Sequence, residues 1–569
     1  MGEDASLISL KELLQDQGNP LFLEETIRML IDSHLLVGQR GSYRLMRALQ
    51  KLRIPPTVQA ILTARIDRLP APARKLLHAA SVIGNDVPHA ILHGIGGLPE
   101  DDLRRVLAEL REAEFLYETR QFPDVHYTFK HALTHDVSYG SLLAEDRKML
   151  HRQIVRFIEE LYPDRLTEFA EQLAHHALCG ELHEKAVHYL RQSGLKSAAR
   201  SALQDARTWF EQALHVLSRT AESPSTLEQA FDIRLEIRQV LVQLSEFRAS
   251  LKLMREAEGL AERLNDDRRL ARVCTFMTGD QTMLGQLDEA LATGIRAANI
   301  ASGLGELRLR ILANTYLARL HFIRGEYKRV AVLATDNIAG LPSEWIHDYF
   351  GMGSPPSVYD RYWLILSQAH VGKFAEVTEH TTHVIELAES TQRPHPIILA
   401  YSATATLHLL KGDWGYALPL IETAISTQQL NLAITPINLS AWVLAQLGEA
   451  SKAKHRLRKG EQFVEDLLAK GASVYSAWEY HALGRAHLLL GLLDDARRNA
   501  DRAVESSSSQ PGFAAYALHL IGDIATHPDQ SDPKSGETYY RQALRWPSRA
   551  ACDPLSLTVT RASESCIGA

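Results

Sequence analysis

One pattern recurs through the later two thirds of the chain, and it constrains the fold more than any other feature. A small residue is followed two positions on by a large one, then by small or apolar residues at +5 and +12. Gly285, Leu287, Ala290, Ala297 is one copy, and Gly412, Trp414, Ala417, Ala424 is another. Other copies start at Ser201, Ser245, Gly325, Gly372, Gly448 and Gly491, and Gly180 with Ala186 reads as a further copy carrying one extra residue. The pattern is that of a helical hairpin. Glycine ends a helix because it takes the left-handed conformation without steric cost. The large residue plugs the turn. The small residues at +5 and +12 share one face of the next helix and let its partner approach closely.

This repeat resembles the tetratricopeptide repeat over Thr167 to Leu544. Its starts are 36 to 47 residues apart, against about 34 in the standard unit. Longer helices or connections are therefore expected, similar to the variant arrays of large bacterial signalling ATPases. The expected fold class is mainly α: a small winged-helix-like unit followed by a right-handed α-solenoid of tetratricopeptide-like hairpins. Such arrays bind a protein or small ligand on a concave face. The 325–372 unit has the largest insertion, "GLPSEWIHDYFGMGSPPSVYD", which makes Trp345, Tyr349 and Phe350 the candidate partner-binding residues. The alternative is that these three pack the inserted loop onto the array. No Lys/Arg carboxylate clamp stands in register on the repeats.

Residues 54–161 carry a different parts list. Val58, Ile61, Leu62 and Ile66 form one helical stripe, stopped by Pro70 and Pro72. "ARKLLHAASVIG" is a second helix closed by Gly84. "PEDDLRRVLAELREAE" is a third, with Pro99 at its start, acids in its first turn and a stripe of Leu103, Val106, Leu107 and Leu110. The strands "FLYET" and "VHYTF" follow. Three helices and a hairpin make a winged helix. The third helix would enter the major groove, yet Glu100, Asp101, Asp102, Glu109, Glu112 and Glu114 outnumber Arg104, Arg105 and Arg111. That balance repels phosphates and disfavours DNA reading. A helix with the stripe Leu150, Ile154, Phe157, Ile158 and Leu161 leads into the array. His131 and His135, and His89 and His93, have the i, i+4 spacing of metal ligands, but spacing supplies no third ligand. They are expected to bond locally, so no metal site is expected.

Charge and hydropathy exclude more than they assign. The net charge of −7 over 569 residues gives no footprint for nucleic acid or an anionic membrane. No 18-residue apolar run exists, and "MGEDASLISLKELL" lacks a signal-peptide n-region and h-region. Cys179, Cys274, Cys552 and Cys566 form no CxxC pair, which suits a reducing cytoplasm. Two lipidation-like strings, Met1-Gly2…Ser6 and Cys566-Ile-Gly-Ala569, are read as coincidences of letter. The tail "PSRAACDPLSLTVTRASESCIGA" loses helical periodicity and is expected to be irregular.

In "QGNPLFLEETIRMLI", Asn19 suits an N-cap and Pro20 a first helical residue, and "LLVGQRGSYRL" suits a hairpin. Taken in order, Gly18-Asn19-Pro20-Leu-Phe-Leu-Glu-Glu, that hairpin, "IPPTVQAILTARIDRL" at Ile54–Leu69, "FLYE…YTFKHALTHDVSYGSLL" and the array resemble the C-terminal part of a bacterial STAND-type ATPase, of the kind associated with class III adenylate/guanylate cyclase domains. The resemblance spans Leu7 to Leu544. It implies that Gly18, Asn19 and Pro20 are the GxP motif, a vestigial adenine contact, in a remnant of the ATPase at 1–53. The winged-helix-like domain is then 54–161, the array 162–545 and the tail 546–569. The parent family uses ATP and Mg²⁺, but no GxxxxGK[ST] occurs in this sequence. No cofactor, catalytic residue or enzymatic activity is therefore expected of this chain, which reads as truncated. The expected function is a cytoplasmic regulatory, sensor and interaction segment, partnered by an ATPase/cyclase portion in cis or in trans. The alternatives are a stand-alone scaffold and a transcription regulator of the same ATPase class.

Overall fold

The computed structural model describes residues 7, 20–38, 42–46, 57–120, 125–427, 434–530 and 532–545. Its clearest regularity lies at the repeat starts. Ser201, Ser245, Gly285, Gly325, Gly372, Gly412, Gly448 and Gly491 all have φ between 59° and 88°, the left-handed region. Each follows one helix and precedes another by two residues. Every +5 and +12 residue is buried, from Ala206 and Ala213 to Ala496 and Ala503. The further copy needs correction. Gly180 has φ −83°, and the left-handed residue is Glu181 at φ 54°. Counted from Glu181, Ala186 falls at +5 with no extra residue.

The chain divides into two compact units, Met1–Thr220 and Ala221–Ala569. In the first, the Pro20–Asp32 helix precedes a two-stranded antiparallel ladder of β1 (Leu36–Val37) and β2 (Arg44–Leu45). Helices Val58–Arg68, Ala71–Ile83 and Glu100–Glu112 lie where periodicity places them. Two elements were not expected: β3 (Asp86–Pro88) and the His89–Gly96 helix. β3 joins β4 (Leu116–Arg120) and β5 (His126–Phe129) in an antiparallel sheet of order β3-β5-β4. Three residues are too few to show a period of two. The helix "HAILHGIG" has weak intrinsic propensity and is held by burial of Ile91, Leu92 and Ile95.

Arg65 ties this unit together. Its guanidinium is 1% exposed and ion-pairs with Glu25; its Nε donates to Asp32 at 3.0 Å and its Nη2 to the Ala113 carbonyl at 2.8 Å. Three helices thus meet on one side chain. Further on, the Ala144–Leu161 helix presents a different stripe from the one expected. His151, Ile154, Val155 and Ile158 are buried, whereas Leu161 is 40% exposed. Helices Ala170–Cys179, His183–Ala199 and Leu203–Leu217 then form the first hairpins.

In the second unit the helices alternate in character. Those ahead of each left-handed residue are buried on most sides. The Ser476–Leu489 helix buries Trp478, Glu479, Tyr480 and His481 together. Those that follow bury one stripe and expose the other face. Leu493–Ser507 buries Ala496, Asn499, Ala500, Ala503 and Ser507. This is the expected α-solenoid of helical hairpins. The tail 546–569 lies outside the described residues.

Candidate functional site

The inner helices of the second unit meet across its interior. Tyr327 donates its hydroxyl to the Gly512 carbonyl at 3.0 Å, and the Val474 amide reaches the Met283 carbonyl at 3.4 Å. Phe322, Trp363, His370, Trp478, Phe513 and Tyr516 fill the space between, with His370 Nδ1 2.9 Å from the Tyr516 hydroxyl. Burial pushes the His370 imidazole down to about 3, so it is neutral.

Beside this apolar zone lies a cationic one. Arg238, Arg272 and Arg319 project from helices Pro224–Gln243, Asp267–Met283 and Leu307–Ile323. Arg238 Nη2 donates to Asp280 at 3.3 Å and its guanidinium stacks 4.2 Å from the Phe276 ring. Arg319 Nη2 donates to the Gly279 carbonyl at 2.8 Å and covers Tyr316. Arg272 is held below the usual arginine range, first by burial and then by Arg308, Arg238 and Arg269, against the pull of Asp232. The Nε atoms of Arg238 and Arg319 are buried with no hydrogen-bond partner. Asp280 is 1% exposed; it also accepts from Ser250 at 2.5 Å, and burial raises its pKa against the pull of Arg238. Burial likewise raises Glu479 to about 7, and Asp360 to about 8 where Thr315 and Asn337 donate to it.

The insertion reaches this zone. Phe350, 4% exposed, packs in the cluster of Phe231, Phe276 and Tyr316, with Trp345 edge-on at 5.7 Å and Arg308 over its ring at 4.3 Å. Tyr349 lies under Arg393 at 4.6 Å, its hydroxyl buried and unpartnered. A Cβ added at Gly351 would stand 3.1 Å from Arg272 Nη2. Phe350, with Trp345 against it, thus packs the insertion onto the array beside Phe276, the ring under Arg238, while Tyr349 lies under Arg393. The arginines carried no sequence signal, because no short motif joins residues on three successive hairpins. Chemically the zone offers buried N–H donors and excess positive charge to an anion.

Of the N-terminal candidates, Gly18 and Asn19 lie outside the described residues, and Pro20 opens its helix. His131 stands at the N-cap position of the Ala132–Ser141 helix without a side-chain cap hydrogen bond, and His135 bonds Asp136 at 3.1 Å. His89 and His93 both face Glu100. Among the described residues one cluster has metal-ligand geometry, His151, His175 and His176, and spacing alone did not assemble it. Among the described residues, no helix is long and apolar enough to cross a membrane.

No protein-family model matches the chain. A curated relative, the uncharacterized protein R02095 of Rhizobium meliloti, is 30% identical over 212 residues; the match covers 36% of this chain and a fifth of that protein's length. Similar solved structures include a STAND protein with a tetratricopeptide repeat sensor from Pyrococcus horikoshii. It is 12% identical, with a TM-score of 0.43, covering 97% of this chain and 71% of that one. A Rap protein complexed with competence and sporulation factor is 15% identical, with a TM-score of 0.41, covering 57% and 94%.

Proposed function

We propose that the chain is the non-catalytic sensor and interaction segment of a STAND-type signalling ATPase, working with an ATPase/cyclase portion in cis or in trans in the cytoplasm. The repeat array takes up a ligand, and the N-terminal unit passes its state to the nucleotide-binding part. The mechanism is a two-state equilibrium in which ligand and ATP favour different packings, so each alters the affinity for the other. The order of Gly18–Pro20, helical unit and array supports the assignment to this class.

The observation that carries the sensor reading is the cationic interior. Arg238, Arg272 and Arg319 converge beside the insertion, and the Nε groups of Arg238 and Arg319 are buried and unused. A ligand with an acidic group fits that chemistry. Two measurements test the reading. Native polypeptide captured by an antibody to the array and mapped by mass spectrometry is expected to yield a GxxxxGK[ST] peptide, from the same chain or a bound one. Recovery of this chain alone, at 63.6 kDa, would favour a stand-alone scaffold. Calorimetry with a short polyglutamate peptide is expected to show binding that Arg272→Gln weakens. Equal affinity for wild type and variant removes the arginine zone from the site.

A further inference from the structure

The first unit holds a cluster of imidazoles that neither the repeat nor the proposed function uses. The Nδ1 atoms of His151 and His176 lie 2.8 Å apart, and both residues are 1% exposed. His175 is exposed, its ring 5.3 Å from that of His176 and 5.8 Å from that of His151. One ring nitrogen from each of the three lies within 4.8 Å of the others. His151 comes from the Ala144–Leu161 helix; the other two come from Ala170–Cys179.

As neutral rings, the buried pair His151 and His176 is incompletely satisfied. A single proton can be shared between the two facing Nδ1 atoms, and His176 Nε2 is buried without a partner. The Tyr139 hydroxyl lies 3.2 Å from His151 Nε2. If it accepts from that nitrogen, it fixes the tautomer with the Nδ1 lone pair turned towards His176. Two imidazole nitrogens on one tetrahedral zinc stand about 3.3 Å apart, given Zn–N bonds of about 2.0–2.1 Å. The observed 2.8 Å and the 4.8 Å envelope bracket that value. The set has no carboxylate, and the charged neighbour is Arg147, stacked on Tyr139 at 5.2 Å. All-imidazole donors disfavour Ca²⁺ and Mg²⁺, which take oxygen ligands, and suit Zn²⁺ and its borderline relatives. Cys179, one turn beyond His175 with Sγ 3.9 Å from His175 Nε2, stands outside the triad.

We propose that His151, His175 and His176 form a binding site for a borderline divalent metal of the zinc class, with water in the fourth position. The ion fastens the Ala144–Leu161 helix to Ala170–Cys179 where the hairpins begin. His176 is the ligand that no i, i+4 search finds. His175-His176 is a vicinal pair on one helix, and its third member comes from another helix 25 residues earlier.

The test is a titration of the untagged full chain, stripped of metal by chelator, with Zn²⁺ by calorimetry and with Co²⁺ by visible absorption. One equivalent should bind at micromolar or tighter affinity, with the intense spectrum of four-coordinate Co²⁺. His175→Ala changes an exposed residue, so the fold should be kept, as circular dichroism will report. It should weaken binding by about 100-fold, and Tyr139→Phe by about 10-fold. Binding that His175→Ala leaves unchanged, or a weak six-coordinate Co²⁺ spectrum, would overturn the site, as would no binding by the folded wild type.

Discussion

At the scale of single residues, the left-handed positions give the sharpest expectations. Ser245 holds φ 61° with a Cβ that this region penalises. Ser245→Gly is therefore expected to stabilise the second unit by about 0.5–1 kcal/mol, the steric relief exceeding the entropy that glycine loses on folding. Gly412 is the converse. A Cβ there meets nothing within 4 Å, so Gly412→Ala isolates backbone strain and should cost about 1 kcal/mol. Urea midpoints of both variants measure this, and a stabilising Gly412→Ala would contradict it. Asp360 gives a pH dependence. Its folded pKa is raised to about 8 from an ordinary value of 3.8. Its favourable term is complete below 3.8. Between there and about 8 the unfolded chain releases a proton that the folded protein keeps. Stability therefore falls as pH rises through that window, by about 1.4 kcal/mol per unit for one group. Asp360→Asn should show a smaller loss of urea midpoint between pH 5 and 8 than wild type. Equal slopes would mean that the carboxyl is ionised in the folded protein.

At the scale of elements, what the sequence disclosed and what it hid have a common cause. The repeat was legible because its signal is local: a left-handed residue, a plug and two small residues sit within one helix and its preceding turn. The same holds for the Glu100–Glu112 helix, where Pro99, the first-turn acids and the buried leucines all lie in sequence order. β3 and the His89–Gly96 helix escaped because partners elsewhere stabilise them: Val87 opposite Tyr127, and Leu76 3.0 Å from a Cβ placed on Gly96. The stripe through His151 escaped because a histidine was not counted among core residues. The arginines beside the insertion escaped because their helices are far apart in sequence. Arg65 shows how much one such contact holds. Replacing it with alanine leaves the Glu25 carboxylate, 2% exposed, buried without its cation. The expected cost is about 3–5 kcal/mol. Hydrogen exchange should then rise first in the Pro20–Asp32 helix. An unchanged exchange pattern there would mean that the pair carries little of the packing.

At the scale of the second unit as a whole, the packing departs from simple nearest-neighbour stacking. In an open solenoid each repeat touches its neighbours alone, stability is a sum over adjacent interfaces, and ends fray before the middle. Here the turn after the Leu307–Ile323 helix meets residues almost two hundred positions later. A Cβ on Gly512 would stand 2.9 Å from the Phe322 carbonyl oxygen and 3.1 Å from Gly325 Cα. Both are backbone atoms, so no rotamer change relieves the contact. His370 with Tyr516, and Trp478 with Phe513, extend the same junction. Helices Leu307–Ile323, Pro356–His370 and Ser476–Leu489 should therefore open as one cooperative unit under native conditions. Gly512→Ala should break that unit. It should speed hydrogen exchange in all three helices by a similar factor, while the exposed helix Ala450–Ala469 changes little. Acceleration confined to the 511–525 segment would show instead that neighbouring hairpins hold the array and that the long-range junction adds nothing. The distinction bears on sensing. A junction that opens as one unit is a two-state element, and under the proposed function a ligand seated beside Arg238, Arg272 and Arg319 reaches it through Arg319, on the Leu307–Ile323 helix, and would bias it as a whole rather than one hairpin at a time.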